Sequence, residues 1–138
     1  MSKLTLRDIA EKMRGIDIAI LTTRAKDGEM AGRPMSNNGD VEYDGDSWYF
    51  TFEQAHSVAE IEADPQVGLG FSGPGTLYVA VAGKAELIRD KAVFVAHWTP
   101  ELDRWFKDGI DTPGIVLIKV HAHRVKIWEN YESEEIKI

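Results

Sequence analysis

Arg33 stands beside a proline in the run GRPMS at 32–36, and the aromatic run WYFTF at 48–52 leads through EQA into His56 and Ser57. Guanidinium, imidazole, hydroxyl and free amide are all donors, and donors gathered at one corner take an anion. A guanidinium grips phosphate through paired N–H groups. The leading N–H groups of a helix have no partners within it and point at whatever lies beyond its start. Thr51, at the end of the aromatic run, adds a hydroxyl, and His56 adds positive charge when protonated. Each residue also has a structural use. Arg33 on its own is more often a surface ion pair worth ~0–1 kcal/mol, and Ser57 with Glu60 has capping-box spacing, which would close the helix on its own side chain.

Other chemistries find less support. The chain has no Gly-x-Ser-x-Gly elbow, Walker loop, Gly-x-Gly-x-x-Gly following a strand, or His-Glu-x-x-His, which removes the usual marks of hydrolases, nucleotide folds and zinc proteases. His121 and His123 alternate onto one strand face, as metal ligands do, but no third ligand accompanies them, so no metal site is assigned. There is no cysteine, hence no disulfide, thiolate site or cysteine nucleophile. Four tryptophans, at 48, 98, 105 and 128, offer faces on which a flat cofactor stacks, although core packing uses them as well.

Composition sets the frame. The 138 residues suit one domain spanning 1–138, and a net charge of −7 opposes nucleic-acid binding. No apolar run approaches the ~20 residues that span a bilayer, and residues 1–15 lack the form of a secretory signal, so membrane roles are set aside and the cytoplasm is expected.

The elements that must position these residues follow from periodicity. Thr5 with Asp8 has capping-box spacing ahead of Leu6, Ile9, Ala10 and Met13, which fall on one helix face before Gly15. Strands are expected at 16–24, 30–38 and 48–52, joined through Asp-Gly turns that favour antiparallel hairpins. In WYFTF, Trp48, Phe50 and Phe52 share one face, expected to be the core face. A helix at 57–63 ends before Pro65. In QVGLGFS at 66–72, Val67, Leu69 and Phe71 point one way, while Gly68, Gly70 and Ser72 leave the other face nearly bare, for a barrel bend, a ligand or another subunit. Further strands at 76–88 and 114–128 enclose helical segments at 90–98 and 100–106, and an acidic tail closes the chain. The sum is a mainly β fold, a six-stranded antiparallel split barrel with short flanking helices.

Taken in order, GRPMS, WYFTF with HSVAEIEADPQVGLGF, YVAVAGKAELIRD, HWTPELDRWF and the closing VKIW resemble the flavin-binding split barrels of the pyridoxamine 5′-phosphate oxidase type, in particular the general stress protein 26-like branch. The resemblance covers nearly the whole chain. It implies a flavin mononucleotide whose phosphate and ribityl chain meet Arg33, Phe50, Thr51 and residues 55–57, including His56 and Ser57. It implies further that Met35 and Ser36 lie beside the isoalloxazine ring, with Val58 at the helix start and Trp98 lining the pocket. Trp128 would reach the flavin of the partner subunit in a homodimer with flavin at the subunit interface.

Two departures qualify that expectation. The oxidase pattern has a basic run at the helix entrance where this chain has Ala55, His56 and Ser57, and another basic strand position is Asn38. Charge-assisted bonds worth ~1.5–3 kcal/mol each are thereby lost, which predicts weaker flavin binding. The Arg-x-His substrate clamp that follows the last tryptophan in true oxidases is replaced by ENYESEEIKI, which argues against oxidation of pyridoxamine phosphate. The expected function is a flavoprotein oxidoreductase with no nameable catalytic residue and an unknown electron donor or acceptor. The alternatives are a non-enzymatic flavin or pyridoxal-phosphate binder and a scaffold that has lost its cofactor.

Overall fold

The computed structural model describes residues 4–37 and 43–138. Helix α1 (Leu6–Met13) begins with the expected capping box: the Thr5 hydroxyl accepts from the Asp8 amide while the Asp8 carboxylate accepts from the Thr5 amide. Its face of Ile9, Ala10 and Met13 is buried. Strands β1 (Ile18–Arg24) and β2 (Met30–Ser36) form a hairpin around Gly28, whose φ of 88° suits the residue without a Cβ. Strand β3 (Asp46–Phe52) runs into α2 (His56–Ala63), then come β4 (Gln66–Ser72) and β5 (Tyr78–Ile88). Helix α3 (Lys91–His97) and a 3-10 segment (Pro100–Arg104) precede the long β6 (Ile115–Glu129) and β7 (Glu132–Lys137).

All pairings are antiparallel, in the order β2-β1-β4-β5-β6-β3, with β7 also on β6. The mainly β, antiparallel expectation holds, with seven strands among the described residues instead of six. The extra one is the acidic tail: ESEEIK alternates, and Ile136, paired with Val125, packs against the core from a strand whose remaining residues are polar.

Although β2 and β3 end the pairing order, the main core joins them. Leu21 and Ala19 of β1, Tyr49 of β3, Leu69 of β4, Val81 of β5 and Ile118 of β6 share one cluster, so the sheet curls around it. Met35 of β2 packs on that cluster, and the Tyr49 hydroxyl donates to Asn37 Oδ1 at 3.4 Å, bridging the two edges through side chains. Ile9, Met13 and Ile61 bring α1 and α2 onto the same core. Burying a side chain such as Leu21, at 0% exposure, stabilises the fold by ~1.5–3 kcal/mol.

One expectation about the core is reversed. The inner face of β3 is Ser47 and Tyr49, both buried, while Trp48 and Phe50 are half-buried and Phe52 is exposed. The ring face instead meets a second cluster, built on Phe94, Phe106, Ile115 and Leu117 beneath α3 and the 3-10 segment. Alternation identified the two faces correctly; the covering segment decided which one received the rings.

Candidate functional site

The corner between β2, β3 and α2 is built differently from a capped helix. Ala55 donates its amide to Phe52 O at 2.9 Å, so the chain turns directly into helix at His56, earlier than Ser57. Ala55 therefore occupies the N-cap position, and no side chain caps the helix. The expected Ser57–Glu60 capping box does not form: Ser57 is drawn inside at 3% exposure, and Glu60 reaches across to the sheet. By contrast, α1 is capped by Thr5 and α3 by Asp90, whose carboxylate accepts from the Ala92 amide. Helix α2 also carries no acidic residue in its first turn. Its amide end has no side-chain cap and is electrostatically positive.

Arg33 lies beside this helix. The five antiparallel steps from β2 to β3 make those strands run in opposite directions. Both Arg33 and Thr51 therefore lie on the α2 side of the Asn37–Tyr49 contact, and alternation from Met35 and Tyr49 turns both inward. The guanidinium donates from Nη1 to Thr23 Oγ1 at 2.9 Å and to Leu21 O at 3.4 Å, and from Nη2 to Glu60 Oε1 at 3.0 Å. Arg33 is thus a partly buried ion pair, more enclosed than a surface one, with its side chain 24% exposed. Its Nε has no partner among the described residues.

The remaining expected residues fall into three groups. Phe50 and Trp98 meet edge-on at 4.9 Å between ring centroids, and Trp98 fixes its indole by donating Nε1 to Asp103 Oδ1 at 3.1 Å. Ser36 and Phe50 line one small cleft with Trp48, His97 and Glu101, so the end of β2 does meet the aromatic strand. His56 is exposed at the first helical position, and Val58 is buried at 2%, so its side chain serves packing. Trp128 does not join the others within one chain: it lies eleven residues beyond Leu117 on β6, roughly 35 Å of extended strand, on the outer face under Lys126. Asn38 lies outside the described residues.

Several site residues were not apparent beforehand. Glu60 was assigned to a cap and instead bonds Arg33. Thr23, at 0% exposure, links the two by accepting from Arg33 and donating to Glu60 at 2.6 Å. His97 lies flat on Trp48, with ring centroids 3.6 Å apart and 18° between planes. Burial, followed by the charge of Lys119, holds its pKa below the usual histidine value, partly opposed by Asp44. Only its position beside Trp98 marked it in the sequence. No cluster of three metal-ligating side chains exists among the described residues.

A curled, unclosed antiparallel sheet flanked by short helices defines a class, the split barrels. The chain belongs to the pyridoxamine 5′-phosphate oxidase-like family, whose model matches residues 5–138. It is 30% identical over 112 residues to general stress protein 26 of Bacillus subtilis, covering 78% of this chain and 79% of that protein. A protein from Clostridium acetobutylicum related to general stress protein 26 shares the fold with a TM-score of 0.84 at 19% identity, over 96% of this chain and 94% of that one. A general stress FMN/FAD binding protein from Xanthomonas citri superposes with a TM-score of 0.77 at 23% identity, over 96% and 94% of the two chains.

Proposed function

We propose that this protein is a flavin mononucleotide-binding flavoprotein that acts as a homodimer and transfers hydride or electrons through the flavin. The observation that carries this reading is the uncapped start of α2 beside Arg33. A partly buried guanidinium beside a helix whose first turn carries no acid forms the complement of a phosphate group. Arg33, Thr51, Ser57 and the amides of His56 and Ser57 would hold that phosphate, with the His56 side chain at the rim. Met35, Ser36, Phe50 and Trp98 would flank the ring system, and Val58 sets the first helical turn against the core. The description of the Xanthomonas citri protein as FMN/FAD binding supports the choice of cofactor. When bound, the flavin supplies reversible one- or two-electron chemistry, while the chain orients it and shields it from water.

The homodimer is supported by the outer sheet face. A row of cross-strand neighbours there reads Pro34, Ile20, Gly70 and Ala80, and a Cβ added at Gly70 would meet nothing within 4 Å. Ile18 and Ile20 are 52% and 44% exposed on the same face. A flat surface of small and apolar residues suits close approach by a second copy, which would carry Trp128 to the partner's flavin. A second reading, a non-catalytic flavin or pyridoxal-phosphate carrier in the cytoplasm, is favoured by β7: the segment after Trp128, where the resemblance expects an Arg-x-His clamp, carries Glu132, Glu134 and Glu135 instead.

The visible spectrum of the purified protein, recorded with and without added flavin mononucleotide, tests the main reading. Bound flavin should show a shifted band near the free cofactor's absorption, and reduced nicotinamides added anaerobically should bleach it. A flavin that binds but resists every donor favours the carrier, and a spectrum identical to free flavin rejects both flavin readings.

A further inference from the structure

The geometry points to Glu60 as the residue that sets how strongly the Arg33 corner accepts a phosphate group, and so how far it prefers phosphorylated over unphosphorylated flavin. The inference rests on the flavin-phosphate reading above. Glu60 Oε1 accepts from both Arg33 Nη2 at 3.0 Å and Thr23 Oγ1 at 2.6 Å, and Arg33 Nη1 donates to the same Thr23 hydroxyl at 2.9 Å. The three groups form a closed ring. Thr23 is fully buried, and the Glu60 and Arg33 side chains are 15% and 24% exposed. In so enclosed a setting charges are screened less than at the surface, so each neighbour's charge matters more.

Two consequences follow for a phosphate at this corner. The carboxylate cancels most of the guanidinium charge and uses one of the nitrogens that a bidentate contact would employ. Glu60 also lies three residues after Ser57, on the same face of α2, so its charge stands on the side from which a ligand would meet the first turn. A dianion must displace Glu60 from Arg33 or bind against its repulsion. Riboflavin, which lacks the phosphate, meets neither demand. Glu60 therefore acts as a specificity-determining residue, an internal competitor for the only strand cation the resemblance assigns to the phosphate.

Glu60→Gln tests this cleanly, because its amide oxygen keeps an acceptor for Thr23 and Arg33 while the charge is lost. Wild type, E60Q and R33A would be titrated with flavin mononucleotide and with riboflavin by fluorescence, with thermal melts confirming folding. E60Q should bind flavin mononucleotide roughly tenfold more tightly, the equivalent of one recovered charge-assisted bond, and riboflavin within about twofold of wild type. Inorganic phosphate should also compete more effectively in E60Q. Should E60Q fail to fold, Glu60→Asp retracts the carboxylate by one methylene and should give a smaller gain for the phosphorylated flavin alone. Unchanged or weaker binding of flavin mononucleotide by E60Q or E60D, with R33A still impaired, would overturn the role of Glu60 and leave the phosphate site standing. Equal affinity in R33A and wild type would instead reject the phosphate site, and this inference with it.

Discussion

His97 shows what a single side chain contributes here. Stacked on Trp48 and facing Lys119, it is held neutral by burial and by that positive charge, with a pKa below the ordinary 6.5. The unfolded chain takes up a proton at a higher pH than the folded one, so the unfolded state binds more protons between the two values. Stability linked to His97 is therefore fully present above about pH 7. It is lost as pH falls through 6.5 towards the folded value, below which the loss levels off. His97→Gln should flatten this part of the profile, and melting temperatures between about pH 8 and 5 would check it. A fall of equal steepness in both proteins would assign the effect elsewhere. Glu60 carries a different lesson. Serine and glutamate three apart are a capping signal in sequence, yet the turn from Phe52 to Ala55 starts the helix early, and both side chains become free for other contacts. Nothing in the local spacing distinguishes a cap from a glutamate bound for an arginine on another strand.

Among the elements, β6 does the most to organise the fold. Its first half pairs with β3, its second half with β7, and β5 follows both across a register shift between Ala82 and Gly83. At that bulge a Cβ on Gly83 would come within 2.5 Å of His121 O, so only glycine lets β5 pass the backbone of β6. Gly83→Ala should cost about 1–3 kcal/mol, the usual penalty of overpacking, seen as a lower urea midpoint with a similar slope. A midpoint within error of wild type would show that β6 yields at this point. Much of this scale was legible: the Asp-Gly hairpin of β1 and β2, the Thr5 cap of α1, and the alternation of Val67, Leu69 and Phe71 in β4 each follow from local rules. The side of β3 facing the main core was not legible, because alternation defines two faces and only the tertiary position of α3 sends the rings to a second cluster. Nor was β7, whose glutamates conceal a strand held by ladder bonds to β6 and by little apolar burial.

For the whole molecule, the sheet curls so that its terminal strands meet at Asn37 and Tyr49, and this brings Arg33 from one edge and α2 from the other to a single corner. The outer face, with Gly70 and the exposed Ile18, Ile20, Tyr78 and Trp128, is left uncovered by the described residues. Family membership and fold were both within reach of the order of the motifs, whereas the Arg33–Glu60–Thr23 ring depends on three separate elements and emerged only in three dimensions. The most direct measurement is a crystal structure of the native protein soaked in flavin mononucleotide. The phosphate should lie within hydrogen-bond distance of Arg33 and the amides of His56 and Ser57, with the ring between Phe50 and Trp98 of one chain and Trp128 of a second. A flavin bound elsewhere, with Glu60 still closing Arg33 and the start of α2 covered by the chain's own side chains, would contradict the account.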